Sequence, residues 1–322
     1  MRATARLAAM ALGVLALVGG GCALQRPIEA SPHTLSAWAA GSPKRGIGLP
    51  PKTPLSAQDY GALDILRPGA VVVFSAQLGD PDPLRWIGPD PGLQRWLAAH
   101  QDITQIVRMW PVRGPEDPAT LARRIVAIHQ RFPWIRWFQI TNEPDIEWPR
   151  DQANWPTISA WSEAVWWQVD RYRRTTKSAS DIKLLFPPLA QGSVLDPEQV
   201  GYDQLRSTIE LYLDHGDGLA GHEYWDRDQV FLVEQRWPAW LQARLPSVPF
   251  FVLECGRRPG PANGPPDATL GDELAAFAAR SQAQVIAPFV LSSPGGSFDQ
   301  FDFVDRQGHL RSHLISWASH GP

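Results

Sequence analysis

The feature that most constrains this chain is a repeat of short apolar runs separated by helical patterns. The runs fall at residues 46–50, 70–75, 104–110, 135–141, 183–187, 218–224, 249–254 and 285–292, with starts mostly 31 to 36 residues apart. None alternates cleanly between apolar and polar positions, which is how strands read when both faces are buried. Helical periodicity covers 93–100, 118–131, 157–178, 199–214, 229–244 and 269–282, and a shorter segment at 56–66 makes the first unit the weakest. Pro118 opens its segment as a good first-turn residue. Trp161, Val165 and Val169 mark one stripe of the longest segment. Parallel strands need such crossovers. Eight units over about 270 residues predict an α/β chain closed as a single-domain (β/α)8 TIM barrel. An open doubly wound sheet would carry a Gly-rich phosphate loop after its first strand. Here prolines break Gly46-Ile47-Gly48-Leu49-Pro50-Pro51, and no Walker loop occurs.

The N-terminal segment does not belong to that pattern. Arg2 and Arg6 precede an apolar run over 7–18, too short to span a bilayer permanently, and small residues lead to Cys22. This resembles a bacterial lipoprotein signal, although Gly19 stands where such signals usually carry Leu. The resemblance implies a signal peptide over 1–21, lipidation of Cys22 and a lipid-anchored, extracytoplasmic location in the cell envelope. Plain secretion and an uncleaved anchor stay open. Residues 22–44, rich in Pro, Ser and Ala, read as a tether, and 45–322 as the barrel domain.

Composition narrows the function by exclusion. Hydrophobic content of 44% and charged content of 20% belong to a globular protein. Losing Arg2 and Arg6 takes the formal charge from −3 to −5, so nothing basic suggests nucleic acid. With only Cys22 and Cys255 present, a Cys-built metal site is ruled out by count. If Cys22 is lipidated, no disulfide forms in the mature chain. Cys255 reads as a small buried residue at a strand end. The eight His residues are not spaced as a ligand set, and no His-x-His follows strand one. The expectation is therefore no metal and no cofactor, in a monomer.

The carbohydrate reading comes from two carboxylates. Glu143 follows the fourth run in Ile140-Thr141-Asn142-Glu143-Pro144-Asp145, and Glu254 ends the seventh. In such a barrel the working site lies at the carboxyl ends of the strands, and strands four and seven face one another across the ring. Glycoside hydrolysis needs one protonated acid and one ionised nucleophile or base. His222 and Tyr224 share a face of strand six, with Glu223 on the other. Arg108 and Trp110 share a face at the end of strand three, where Arg108 either pairs with Glu254 or serves a structural ion pair elsewhere. Fifteen Trp residues are mostly core material, and an indole face also suits a pyranose. Trp148 and Trp225, which follow strands four and six, are the stacking candidates, with loop anchoring as the other reading.

Asn142-Glu143-Pro144, His222-Glu223-Tyr224 and Glu254 together resemble the clan A glycoside hydrolases, the cellulase-like retaining enzymes, as a divergent member. That resemblance implies Glu143 as acid/base, Glu254 as nucleophile, Asn142 on the sugar 2-hydroxyl and Tyr224 orienting the nucleophile. The chain departs from the pattern twice. Many clan A enzymes carry an Arg at the end of strand two and a Trp at the end of strand eight, and neither is present here. A Gly-rich loop over 293–298 follows strand eight. Three alternatives stay open: a non-catalytic carbohydrate-binding lipoprotein on the same scaffold, an inverting enzyme or one using Glu223 or Asp226, and a metal-dependent hydrolase.

Overall fold

A computed structural model describes residues 43–80, 87–109, 114–190, 198–227, 230, 236–258, 267–292 and 301–320. The expected signal peptide over 1–21, Cys22, Trp110 and the expected Gly-rich loop over 293–298 lie outside them. Eight strands close into a barrel in sequence order: β1 (Lys44–Gly48), β2 (Ala70–Phe74), β3 (Thr104–Arg108), β4 (Trp137–Gln139), β5 (Lys183–Phe186), β6 (Gly218–Trp225), β7 (Phe250–Arg257) and β8 (Val285–Ile286). Every neighbouring pair is parallel, and β1 closes on β8 through Lys44↔Val285 and Arg45↔Ile286. The expected (β/α)8 architecture is therefore present. Lys44, assigned from sequence to the tether, already belongs to β1.

Strand periodicity sorts side chains into two cores. Ala70, Val72, Ile106, Leu185, Ala220, Phe251, Leu253 and Val285 cluster inside the barrel, with Trp137 packed against them. Val71, Val73, Val107, Phe138, Leu184, Leu219, Val252 and Ile286 join the larger core beneath the helices. Both faces are covered, which is why the runs carry no alternation. Two strands are less than half as long as their apolar runs. β4 spans three residues, and β8 stops at Ile286, two residues before a proline that has no N–H for the ladder.

The helices begin where side chains satisfy the free N–H groups of a first turn. Asp117 accepts from the Thr120 amide ahead of Pro118–Arg131, and Asn154 accepts from Thr157 ahead of Trp155–Thr175. Ser56 and Asp59 form a reciprocal capping box on Ala57–Leu66, which makes the first unit a proper one. The segment expected over 199–214 is two helices, Glu198–Gln204 and Arg206–Asp214. Among the described residues no helix is long and apolar enough to cross a membrane.

One irregularity decides what the barrel can do. Between Gly221/His222 on β6 and Val252/Glu254 on β7 the register slips, and Leu253 is the extra residue. Phe251 and Leu253 belong to the inner cluster, and Val252 and Cys255 to the outer core. Strict alternation from Leu253 would send residue 254 outward. The bulge resets the phase and turns the Glu254 carboxylate into the barrel mouth, the re-aiming for which bulges beside working sites are known.

Candidate active site

A polar layer lies above the apolar floor of the barrel. Arg108 ends β3, Gln139 ends β4, Asn142 and Glu143 follow β4, His222 and Tyr224 lie on β6, and Glu254 lies on β7. Gln139 is wholly buried, and Arg108, Asn142, Glu143, His222 and Glu254 are each less than a tenth exposed. Buried polar groups survive only when partnered, and here they partner one another.

Glu254 is the most heavily coordinated. The Arg108 guanidinium donates to Oε1 in a short ion pair. The Tyr224 hydroxyl donates to Oε2 at 2.9 Å. His222 Nδ1 lies 3.7 Å from the same oxygen. Burial by itself would raise this carboxyl's pKa. The imidazole of His222, the charge and hydrogen bond of Arg108 and the Tyr224 hydroxyl outweigh it and hold Glu254 below the usual carboxylate range. Tyr224 responds in the opposite sense. Burial and the charges of Glu254 and Glu143 push its phenol well above the ordinary value, so it remains a donor.

Glu143 has different surroundings. It stands directly before the short helix Pro144–Glu147, and its Oε1 lies 2.8 Å from His222 Nδ1. One imidazole therefore touches both carboxylates. The three groups offer one ligand atom each, all within 4.8 Å of one another. A divalent cation accepts such a set, though Arg108 would compete with it for Glu254. The shared distance also places a Glu143 oxygen within 4.8 Å of a Glu254 oxygen.

The structure brings together Glu143, Glu254, Asn142, His222, Tyr224 and Arg108, six of the residues expected from sequence. Arg108 takes the ion pair with Glu254 rather than a structural pair elsewhere, and the guanidinium comes from β3 instead of β2. Arg257, three residues beyond Glu254, pairs instead with Glu273 at 2.8 Å. Glu223 points away from the mouth, as alternation predicts, and its Oε2 accepts from Arg236 at 2.7 Å. Asp226 lies 3.9 Å from Arg258.

Two expectations are corrected. Trp225 offers no face to a sugar, because it is fully buried, donates to Glu273 at 2.8 Å and packs on Phe277 of the helix Ala268–Ala278. Its position on β6 has the parity of Glu223 and faces the helices. Trp148 is 4% exposed and meets Trp161 edge-on at 5.1 Å. Both are anchors. The aromatic surface near Glu254 is supplied by half-buried Phe289 and Phe301, whose centroids are 5.7 Å apart, with Phe301 5.6 Å from Tyr224.

Sequence reasoning missed Gln139 and Glu147. Gln139 accepts from Arg108 Nε at 3.0 Å and donates to Asn142 Oδ1 at 3.1 Å. Glu147 Oε1 accepts from Asn142 Nδ2 at 2.6 Å. A polar residue inside an apolar strand, and a carboxylate four residues beyond Glu143, were the available signals.

No family model matches the chain, and no curated protein matches it. Solved structures do. A glucosidase from Croceicoccus marinus superposes with a TM-score of 0.57 at 11% identity, over 87% of this chain and 67% of that one. A triple variant of an endo-β-1,4-glucanase from Xanthomonas axonopodis pv. citri gives 0.53 at 12% identity, over 86% and 98%. A family 39 glycoside hydrolase from Bacteroides cellulosilyticus gives 0.53 at 11% identity, over 87% and 63%. The chain has the barrel fold of glycoside hydrolases. Identities this low establish a shared fold, and function must be argued from the site.

Proposed function

We propose that this protein is a retaining glycoside hydrolase that cleaves a β-linked oligo- or polysaccharide by double displacement. The observation that carries the reading is the carboxylate pair, with an oxygen of each within 4.8 Å of the other, and with Glu254 held below the usual carboxylate range against burial by His222, Arg108 and Tyr224. Retaining sites place the two groups about 5–5.5 Å apart, whereas an inverting site needs roughly 6.5–9.5 Å to admit a water.

In the first step Glu254 attacks the anomeric carbon while Glu143 gives its proton to the departing glycosidic oxygen. The bond to the leaving group breaks as the ester to Glu254 forms. In the second, Glu143 takes a proton from water, the hydroxyl attacks the same carbon, and Glu254 leaves as a carboxylate. Two inversions restore the starting configuration. Proton NMR of a β-linked substrate during hydrolysis is expected to show the β-anomer first, before mutarotation. Initial appearance of the α-anomer would sink the double displacement.

Tyr224→Phe probes the nucleophile's environment. The hydroxyl bonds to the charged form of Glu254, so its loss raises that carboxyl's pKa. The acidic limb of the kcat/KM profile is expected to move to higher pH. Activity at the optimum should fall by about 10- to 100-fold, the worth of a hydrogen bond to a charged group. An unmoved acidic limb would remove Tyr224 from this role.

A further inference from the structure

We propose that Glu147 is a positioning residue of this site: it fixes the Asn142 amide so that an N–H faces the sugar, and it shares with Glu143 the proton that the first step uses. The proposal rests on the retaining-hydrolase reading above.

The orientation is set from Arg108 outward. A guanidinium can only donate. Arg108 Nε lies 3.0 Å from the Gln139 side-chain oxygen, so that amide has one orientation. The Gln139 nitrogen then faces the Asn142 oxygen at 3.1 Å and the Thr141 carbonyl at 3.0 Å. With its oxygen engaged, Asn142 presents nitrogen on the other side, where Glu147 Oε1 accepts at 2.6 Å. A donor-only group at one end and a carboxyl at the other thus decide both amides. Glu147 uses one of the two N–H bonds on Asn142, and the second remains for a hydroxyl oxygen of the substrate.

The proton argument has its own geometry. Glu147 lies one turn after Glu143, its backbone N–H donating to the Glu143 carbonyl at 2.9 Å. Around Glu147 stand Glu143, Glu254, Arg108 and the Asn142 amide, with His222 on the far side of Glu143. Burial first, then the charge of Glu143, push the Glu147 carboxyl up to about 8, with Glu254 adding to the push and Asn142 and Arg108 opposing it. Near neutral pH Glu147 therefore keeps a proton, and this proton serves Glu143 in the first step.

Two substitutions separate the roles. Glu147→Gln keeps an acceptor for Asn142 and removes the charge. Glu147→Leu removes both. Glu147→Gln is expected to lower kcat several-fold because the shared proton is lost, and to move the alkaline limb of kcat/KM to lower pH because a neighbouring negative charge is gone. Glu147→Leu is expected to lose a further 10-fold or so in kcat, with KM and Tm near wild type. Equal kinetics in the two variants would overturn the orienting role, and an unmoved alkaline limb would overturn the shared proton. Carbon-13 NMR of carboxyl-labelled glutamates needs no substrate. A resonance titrating near pH 8 should be present in the wild type and missing from Glu147→Gln. Its absence from the wild type would overturn the shared proton. Its presence in a protein that hydrolyses nothing would place the failure with the hydrolase reading.

Discussion

Glu254→Gln is expected to abolish turnover, lowering kcat on the order of 10⁴-fold, because the variant has no group able to form the glycosyl ester. Gln is nearly isosteric: its one oxygen can still accept from Arg108, and its NH2 then faces the Tyr224 hydroxyl, which can turn to accept, so the polar layer should persist. It does leave the buried Arg108 charge without its counter-ion, and removing one partner of a buried pair typically costs 3–5 kcal/mol. A lowered Tm is therefore expected alongside the lost activity, and circular dichroism should show an intact fold at the assay temperature. Glu254→Gly tests the same atom in the opposite direction. It opens space behind the anomeric carbon, where azide can take the nucleophile's place. The product should be a glycosyl azide of inverted configuration, since only one displacement occurs. A Glu254→Gln enzyme that keeps more than about a tenth of wild-type turnover would place the nucleophile elsewhere.

Glu143→Gln should have an effect that depends on the leaving group. Natural β-linked sugars depart as poor leaving groups and need a proton, so their hydrolysis is expected to fall by about 10²–10⁴-fold. An aryl glycoside with an acidic phenol leaves without help. For it the first step should survive and the second, which needs a base, should become limiting. The signature is a burst of phenol followed by a slow steady state that azide accelerates, with a retained glycosyl azide as product. The same His222 nitrogen, Nδ1, lies 2.8 Å from Glu143 and 3.7 Å from Glu254, so the ring is expected to keep facing Glu254 in the variant. Loss of equal size on natural and activated substrates, with no burst, would mean that Glu143 is not the acid/base.

Much of this was legible before any coordinates. Runs without alternation, separated by helix-length segments, leave few topologies besides a closed parallel barrel. The Asn-Glu-Pro turn after β4 and the carboxylate closing the seventh run fall at strand ends, where such barrels work. Alternation along β6 correctly sent Glu223 outward and His222 and Tyr224 inward. The same rule, applied to Trp225, would have sent it to the helices with Glu223. The stacking assignment came instead from its position in a loop-proximal stretch, and parity was the better guide.

What sequence alone determined is therefore what is local or periodic: the strand and helix alternation, the helix opening at Pro118, the faces of β6 and the order of the two carboxylates. What only the tertiary structure decided depends on how separate strands meet. The slip at Leu253 exists only relative to β6, yet without it Glu254 would point at the helices. The guanidinium that pairs with Glu254 arrives from β3, 146 positions away, where β2 offers no arginine. The Arg108–Gln139–Asn142–Glu147 sequence of hydrogen bonds likewise joins residues whose amide orientations no local rule sets. Hydrogen-bond direction and buried charge are properties of neighbours in space, and a linear pattern records neighbours only along the chain.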